Sequence, residues 1–134
     1  MHMAKIGIIG AGSWGIALSV LLHNNGHEIT VWSILEDEIN MLKTEHEHKD
    51  KLPGVKLPED MIFTTSLPEA IEGKDILVLA VPSPFTRSTS HNMKPYVADG
   101  QIIVNVAKGI EEHTLMTLSQ IIEEEVPQAN VAVL

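Results

Sequence analysis

The stretch that decides the fold is KIGIIGAGSWG, residues 5–15. Its first part, residues 5–10, is a short apolar run rich in β-branched residues, which predicts a buried strand. The pattern GAGSWG (10–15) overlaps its end, and apolar residues then recur at helical spacing over residues 14–25. A strand, a Gly-x-Gly-x-x-Gly turn and a helix in this order are typical of a dinucleotide-binding unit.

Each glycine of this turn has its own physical task. Gly10 permits the tight turn, Gly12 lets a diphosphate approach the backbone, and Gly15 lets the helix pack closely on the strand. The unpaired N–H groups and the positive dipole end of the helix then face the diphosphate. We therefore predict a dinucleotide site at this turn. The alternative is a glycine-rich turn that binds nothing.

Strands and helices alternate through the rest of the chain. Further strands are predicted at 28–32, 61–64, 75–81 and 101–106, with a sixth beginning at 131, and helices at 35–48, 68–71, 84–97 and 114–125. This alternation predicts one α/β domain of Rossmann type over residues 5–134, a doubly wound parallel sheet in strand order 3-2-1-4-5-6. Ligands then bind beyond the carboxyl ends of the strands, so the residues directly after each strand are the candidates for chemistry.

Composition and charge exclude several classes of protein. The chain has 134 residues and a net charge of −9, which argues against a general binder of nucleic acid or of anionic membranes. It has no cysteine, which excludes disulfides, thiol catalysis and cysteine-ligated zinc. No apolar run approaches the roughly 20 residues of a membrane span. We therefore expect a cytoplasmic protein. Residues 1–4, which begin Met1-His2-Met3, are interpreted as an added start before the domain, without a functional role.

The ribose end of the predicted site lacks the usual charge. An NAD site carries an acidic residue about 20 residues beyond the glycine motif, and an NADP site an arginine nearby. Here Trp32, Ser33 and Ile34 end the second strand instead. Glu36 and Asp37 come slightly later; they are candidates for the acidic role, but we favour their interpretation as solvated residues of a first helical turn. Ser33 is expected to contact the ribose of either coenzyme, so NAD and NADP both stay open.

Two residues that follow later strands are further candidates. Lys108, after the fifth strand, is placed to hold a substrate oxygen and to neutralise developing alkoxide charge during hydride transfer. The alternative for Lys108 is a surface lysine before a turn glycine. Ser83, after the fourth strand, is a candidate contact beside the nicotinamide and also a candidate helix N-cap before Pro84.

Other charged and aromatic residues are given structural interpretations. Arg87 and the run 123–125 (Glu-Glu-Glu) are expected in solvent, and Trp14 is expected to pack while shaping the phosphate turn. His46 and His48 alternate with glutamates, whereas a metal site needs ligands that converge from separate elements. We therefore interpret these histidines as part of a solvated helix end and expect no metal.

Four motifs, GAGSWG, LPGVKLP, AVPS and VAKGIE, occur in this order over residues 5–134. At these spacings they resemble the bacterial-type NAD(P)-dependent glycerol-3-phosphate dehydrogenases. The resemblance implies reversible hydride transfer between dihydroxyacetone phosphate and sn-glycerol 3-phosphate, for phospholipid synthesis, with NAD or NADP as coenzyme. By position, it implies that Ser13 and Trp14 lie along the diphosphate. It also implies that Lys51 contacts the coenzyme and that Lys108 touches both coenzyme and substrate.

Two departures from the family pattern matter. Ile34 stands where the family often has an arginine against the adenosine ribose phosphate. Isoleucine cannot pair with a 2′-phosphate, and a missing charge-assisted hydrogen bond is worth about 1.5–3 kcal/mol, or roughly 10–150-fold in affinity. This departure favours NAD over NADP as the coenzyme. The family also continues into a helical substrate domain that carries its general acid/base, a second lysine. We expect this chain to be the coenzyme domain alone, with no catalytic acid/base and little or no turnover, and the longer protein to be a homodimer.

Three alternatives stay open at this point. One is another two-domain NAD(P) dehydrogenase, which shares the glycine turn but differs in its substrate domain. A second is a module that senses a dinucleotide without chemistry, and a third is a purely structural domain. A lysine at the substrate rim has no purpose in a sensing module, and measurable coenzyme affinity excludes a structural domain.

Overall fold

The computed structural model describes residues 3–134, so Met1 and His2 of the proposed start lie outside the described residues. Six strands alternate with five α-helices in this range. The strands are β1 (Lys5–Ile9), β2 (Glu28–Trp32), β3 (Ile62–Thr64), β4 (Ile76–Leu79), β5 (Ile102–Asn105) and β6 (Asn130–Val133). The helices are α1 (Ser13–Asn24), α2 (Glu36–Glu45), α3 (Leu67–Ile71), α4 (Thr86–Met93) and α5 (Leu118–Glu125).

The sheet has the order β3-β2-β1-β4-β5-β6, and every neighbouring pair is parallel. The predicted Rossmann-type order 3-2-1-4-5-6 is therefore confirmed. Ile9, at the end of β1, lies opposite Trp32 of β2 and Leu79 of β4. Because these three strands end level, the residues that follow them meet at one edge of the sheet.

The sheet separates two hydrophobic cores. Successive residues of a strand point to opposite faces, so Ile8 packs in the core with Ile16 of α1 and Leu42 of α2. Ile9 packs in the other core, with residues of α3, α4 and α5 such as Ile122. Helices cover both faces, which is why β1 and β4 are apolar on both sides.

Two predicted helices differ from the observed ones. The helix expected at 114–125 begins only at Leu118, because Thr117 caps it and exchanges hydrogen bonds with Gln120 in a capping box. Leu115, with φ of 59°, lies in a turn before this cap. The helix expected at 84–97 is divided into a 3-10 turn at Ser83–Phe85, α4, and a second 3-10 turn at Lys94–Tyr96.

Candidate functional site

The glycine turn joins β1 to α1 through two close backbone approaches. Gly10 has φ of 125°, and a Cβ there would lie 2.7 Å from the carbonyl oxygen of Ala80. A Cβ on Gly15 would lie 2.3 Å from the carbonyl oxygen of Gly10. Both positions therefore require glycine, the first for the turn and the second for packing α1 against the end of the strand.

Gly12 differs because the space around it is open. No atom lies within 4 Å of the position that its Cβ would occupy, and it is the N-cap residue of α1. It gives the helix no side-chain cap, and the first turn carries no acidic residue. The first amides of a helix have no intrahelical acceptor. The start of α1 therefore combines amides without an intrahelical acceptor with open space at residue 12, which is the local geometry expected of an anion site.

A cavity of about 1190 Å³ begins at this turn and extends along the carboxyl edge of the sheet. Residues after β1, β2, β4 and β5 all contribute to its wall. Of the predicted site residues, the wall includes Gly10, Gly12, Ser13, Trp14, Ser33, Ile34 and Lys51. Gly15, Ser83 and Lys108 are not part of the wall, although the neighbours Pro82 and Ala107 are.

Glu38, which the sequence analysis did not single out, lies in the wall beside Ser33 and Ile34. Ser33 Oγ donates to Glu38 Oε1 over 2.6 Å and accepts from the amide of Leu35. The other carboxylate oxygen of Glu38 lies 2.6 Å from His48 Nε2. Glu36 and Asp37 are exposed, as expected. The sequence signal for Glu38 was its place next to Ile39 on the buried side of α2, which sets it apart from the two solvated acids.

Lys51 reaches the site through its own loop. Its carbonyl oxygen accepts a hydrogen bond of 2.8 Å from Ser13 Oγ, which joins the loop before LPGVKLP to the glycine turn. Lys51 is exposed. The Ser13 hydroxyl therefore positions the loop, while the Ser13 amide stays at the start of α1.

The loop that carries Lys108 and Gly109 passes next to Ser83 at the outer rim of the same edge. A Cβ on Gly109 would lie 3.8 Å from Ser83 Oγ, so the loop after β5 passes next to the turn after β4. Ser83 is inside the 3-10 turn and makes no capping hydrogen bond, because Pro82 holds the cap position. The N-cap interpretation of Ser83 is therefore wrong. Lys108 is exposed.

Arg87 was expected in solvent and instead forms the centre of an acidic cluster. Its guanidinium contacts Glu111 through two hydrogen bonds of 2.8 and 2.9 Å, and it also bonds Glu124 and Glu125. These bonds, those to Glu111 first, raise the pKa of Arg87 above its usual range. The hydrogen bond from Arg87, supported by one from Thr114, lowers the pKa of Glu111 to about 2.

This cluster fixes a loop rather than a ligand. Arg87 is on α4, Glu125 ends α5, and Glu111 belongs to the loop that follows Lys108. Hydrogen bonds, chiefly from Arg87, also hold the pKa of Glu125 below its ordinary value. The expectation of a solvated run at 123–125 is thus wrong for Glu125, whose side chain is 18% exposed and paired with Arg87, whereas Glu124 also bonds Arg87 but stays 54% exposed.

Three further expectations about aromatic residues need correction or comment. Trp14 is 54% exposed in the cavity wall, so it does not pack in a core. His48 is only 2% exposed and paired with Glu38, and His46 stacks edge-on against Phe63, so neither belongs to a solvated helix end. Both histidines pack under the loop because the chain turns back after α2. Among residues 3–134, no three His, Asp or Glu side chains converge as metal ligands would.

Comparison with known proteins tests the family resemblance directly. The profile of the family described as NAD-dependent glycerol-3-phosphate dehydrogenase N-terminus matches residues 5–134. The chain belongs to this family. The family predicted from the four sequence motifs is therefore confirmed, and the observed Rossmann-type fold is consistent with it.

Relatives within the glycerol-3-phosphate dehydrogenase family extend the comparison. A glycerol-3-phosphate dehydrogenase [NAD(P)+] of Agathobacter rectalis is 64% identical over 98% of this chain, and one of Fusobacterium nucleatum is 55% identical over 98%. The crystal structure of glycerol-3-phosphate dehydrogenase from Coxiella burnetii superposes with a TM-score of 0.91 at 28% identity, covering 98% of this chain. The chain spans 39–40% of the length of these three proteins.

No helix within residues 3–134 is both long enough and apolar enough to cross a bilayer.

Proposed function

We propose that this chain binds NAD or NADP and is the coenzyme-binding part of a glycerol-3-phosphate dehydrogenase. The observation that carries the proposal is the open space at Gly12, where α1 begins, inside a cavity at the carboxyl edge of the sheet. A diphosphate there receives hydrogen bonds from backbone amides and benefits from the helix dipole. The relatives that carry this enzyme name support the choice of enzyme.

The residues fit an extended dinucleotide. Ser13 and Trp14 line the middle of the cavity beside Gly12, so we assign them to the diphosphate. Ser33 and Ile34 follow β2 and line the cavity, and we assign them to the adenosine ribose. Lys51 stands next to Ser13 and supplies a cation on the coenzyme side.

The nicotinamide end belongs to the turns after β4 and β5. Gly109, which follows Lys108, lies next to Ser83 at this rim, and Ala107 contributes to the cavity wall. The coenzyme supplies the hydride when bound. Lys108 holds the oxygen of the substrate, dihydroxyacetone phosphate or sn-glycerol 3-phosphate, and stabilises negative charge that develops on it. We assign the proton donor to the longer protein and not to this chain, which is expected to show little or no turnover alone.

The wider setting follows from the same proposal. An enzyme acting on glycerol 3-phosphate supplies the backbone of glycerophospholipids, and we place it in the cytoplasm. We also propose that the longer protein works as a homodimer. Neither proposal is needed for the coenzyme site itself.

Calorimetric titration of the 134-residue chain with NADH and with NADPH tests the proposal. We expect saturable binding of at least one coenzyme with one site per chain. Nicotinamide mononucleotide, which has no diphosphate bridge, is the matched control and should bind far more weakly. Absence of binding by both dinucleotides would remove the proposed function and would favour the structural alternative.

A further inference from the structure

Glu38 occupies the place where an acidic residue at the end of β2 would normally stand. It belongs to the first turn of α2, but its carboxylate turns back to the strand end, where Ser33 Oγ donates to it over 2.6 Å. Its side chain is only 11% exposed and lines the same cavity as Ile34. An acid that is late in sequence thus reaches the ribose end of the cavity in space.

His48 orients this carboxylate. His48 Nδ1 accepts a hydrogen bond from the amide of Lys51, so that nitrogen carries no proton. Nε2 is then the nitrogen that donates to Glu38 Oε2, over 2.6 Å. The buried imidazole thus fixes one oxygen of the Glu38 carboxylate through a single hydrogen bond.

The remaining hydrogen-bonding capacity of Glu38 suits hydroxyl groups. A carboxylate has about four acceptor sites, and Ser33 and His48 each use one. The Ser33 proton is engaged, so Ser33 is not free to donate to a phosphate. The 2′- and 3′-hydroxyls of a ribose are donors that match the free acceptor sites.

A 2′-phosphate fits the same place poorly. It is an anion beside Glu38, and Ile34, which is 74% exposed, offers no charge to hold it. The other charged groups on this part of α2, Glu36 and Asp37, are also acidic. Lys51 is the nearby cation, but its backbone is tied to Ser13 at the start of α1, on the diphosphate side.

We infer that the Glu38 carboxylate, oriented by Ser33 and His48, selects NAD(H) over NADP(H) by accepting from the ribose hydroxyls and repelling a 2′-phosphate. This inference rests on the proposed coenzyme site. Glu38 is a specificity-determining residue that acts on the adenosine ribose, remote from the reacting atoms.

The experiment compares the dissociation constants of NADH and NADPH for the 134-residue chain and three variants. The variants are Glu38→Gln, the charge-matched control Glu36→Gln, and Lys51→Met. The 2′-phosphate of NADPH would bring a negative charge next to the Glu38 carboxylate, and such repulsion weakens binding. We therefore expect the wild-type chain to bind NADH at least about tenfold more tightly than NADPH. Glu38→Gln should reduce this ratio about tenfold or more, whereas Glu36→Gln should leave it unchanged. Lys51→Met should weaken both coenzymes to a similar degree and so keep the ratio.

The ratio is used because loosening of the fold affects both coenzymes alike. Thermal unfolding without coenzyme shows whether Glu38→Gln folds. If it does not fold, competition of wild-type binding by AMP and by 2′-phospho-AMP makes the same comparison at the ribose alone, and AMP should compete better by about tenfold. The inference would be overturned if the wild-type chain bound the two coenzymes, or the two nucleotides, with equal affinity. It would also be overturned if folded Glu38→Gln kept the wild-type ratio of the two dissociation constants, or if Lys51→Met lost affinity for NADPH alone. If neither dinucleotide binds, the proposed coenzyme site itself fails.

Discussion

Replacing Gly12 with alanine separates the binding role of the glycine turn from its structural role. No atom lies within 4 Å of the added Cβ, and φ of −73° suits any L-residue. Alanine is a poorer N-cap than glycine, so we expect the free energy of unfolding to change by no more than about 1 kcal/mol. The methyl group nevertheless occupies space that we assign to the diphosphate.

The loss of coenzyme affinity follows from that overlap. Forcing a methyl group into a filled contact costs about 1–3 kcal/mol, which corresponds to roughly 5- to 150-fold in the dissociation constant. The Gly12→Ala chain should therefore fold normally and bind NADH and NADPH more weakly by this factor. Fluorescence titration gives the affinity, and urea unfolding of the coenzyme-free chain gives the stability.

Gly15→Ala is the matched comparison, because its Cβ would lie 2.3 Å from the carbonyl oxygen of Gly10. That oxygen is backbone and moves only with the strand end, so we expect a loss of about 1–3 kcal/mol in unfolding free energy. Wild-type affinity in Gly12→Ala, or equal destabilisation in the two variants, would refute the assignment of the open space to the diphosphate.

Two further predictions concern charged residues. Because Arg87 lowers the pKa of Glu111 to about 2 from 4.5, this carboxylate stabilises the fold above pH 4.5 and loses that contribution as the pH falls toward 2. Urea unfolding at pH 6 and pH 3 should therefore show that Glu111→Gln lowers the free energy of unfolding more at pH 6 than at pH 3. An equal loss at the two pH values would contradict this prediction. So would the same pH dependence in the exposed control Glu112→Gln. In the longer protein, Lys108→Met should lower kcat for dihydroxyacetone phosphate reduction by about 10²–10³-fold, with the exposed Lys43→Met as control. Full turnover in Lys108→Met would instead favour a different enzyme or a sensing module.

The strand order could be predicted because few topologies satisfy the sequence pattern. The glycine turn identified β1 and α1, and right-handed crossovers between alternating elements left one doubly wound order. The start of α5 was missed although its signal was present, since Thr117 and Gln120 have the spacing of a capping box. Apolar periodicity favoured a longer helix there, and the cap decided against it.

The polar clusters could not be predicted in the same way, because their members are far apart in sequence. Arg87 pairs with Glu111 across 24 residues and with Glu125 across 38. Glu38 and His48 are separated by 10 residues and meet only because the loop after α2 turns back. Sequence patterns describe the face of one element, whereas these pairs depend on how three elements are packed.

The distribution of charge explains how an acidic chain can hold an anionic ligand. Arg87 is surrounded by three glutamates and is not available to the main cavity. Of the residues that line that cavity within 3–134, Lys51 is the one lysine or arginine, and Glu38 is the one aspartate or glutamate. A dinucleotide diphosphate must then be held mainly by the amides at the start of α1, where Gly12 leaves them accessible. Recognition by amides requires the anion to sit close to the backbone, which is why the side chain at residue 12 matters more than the net charge.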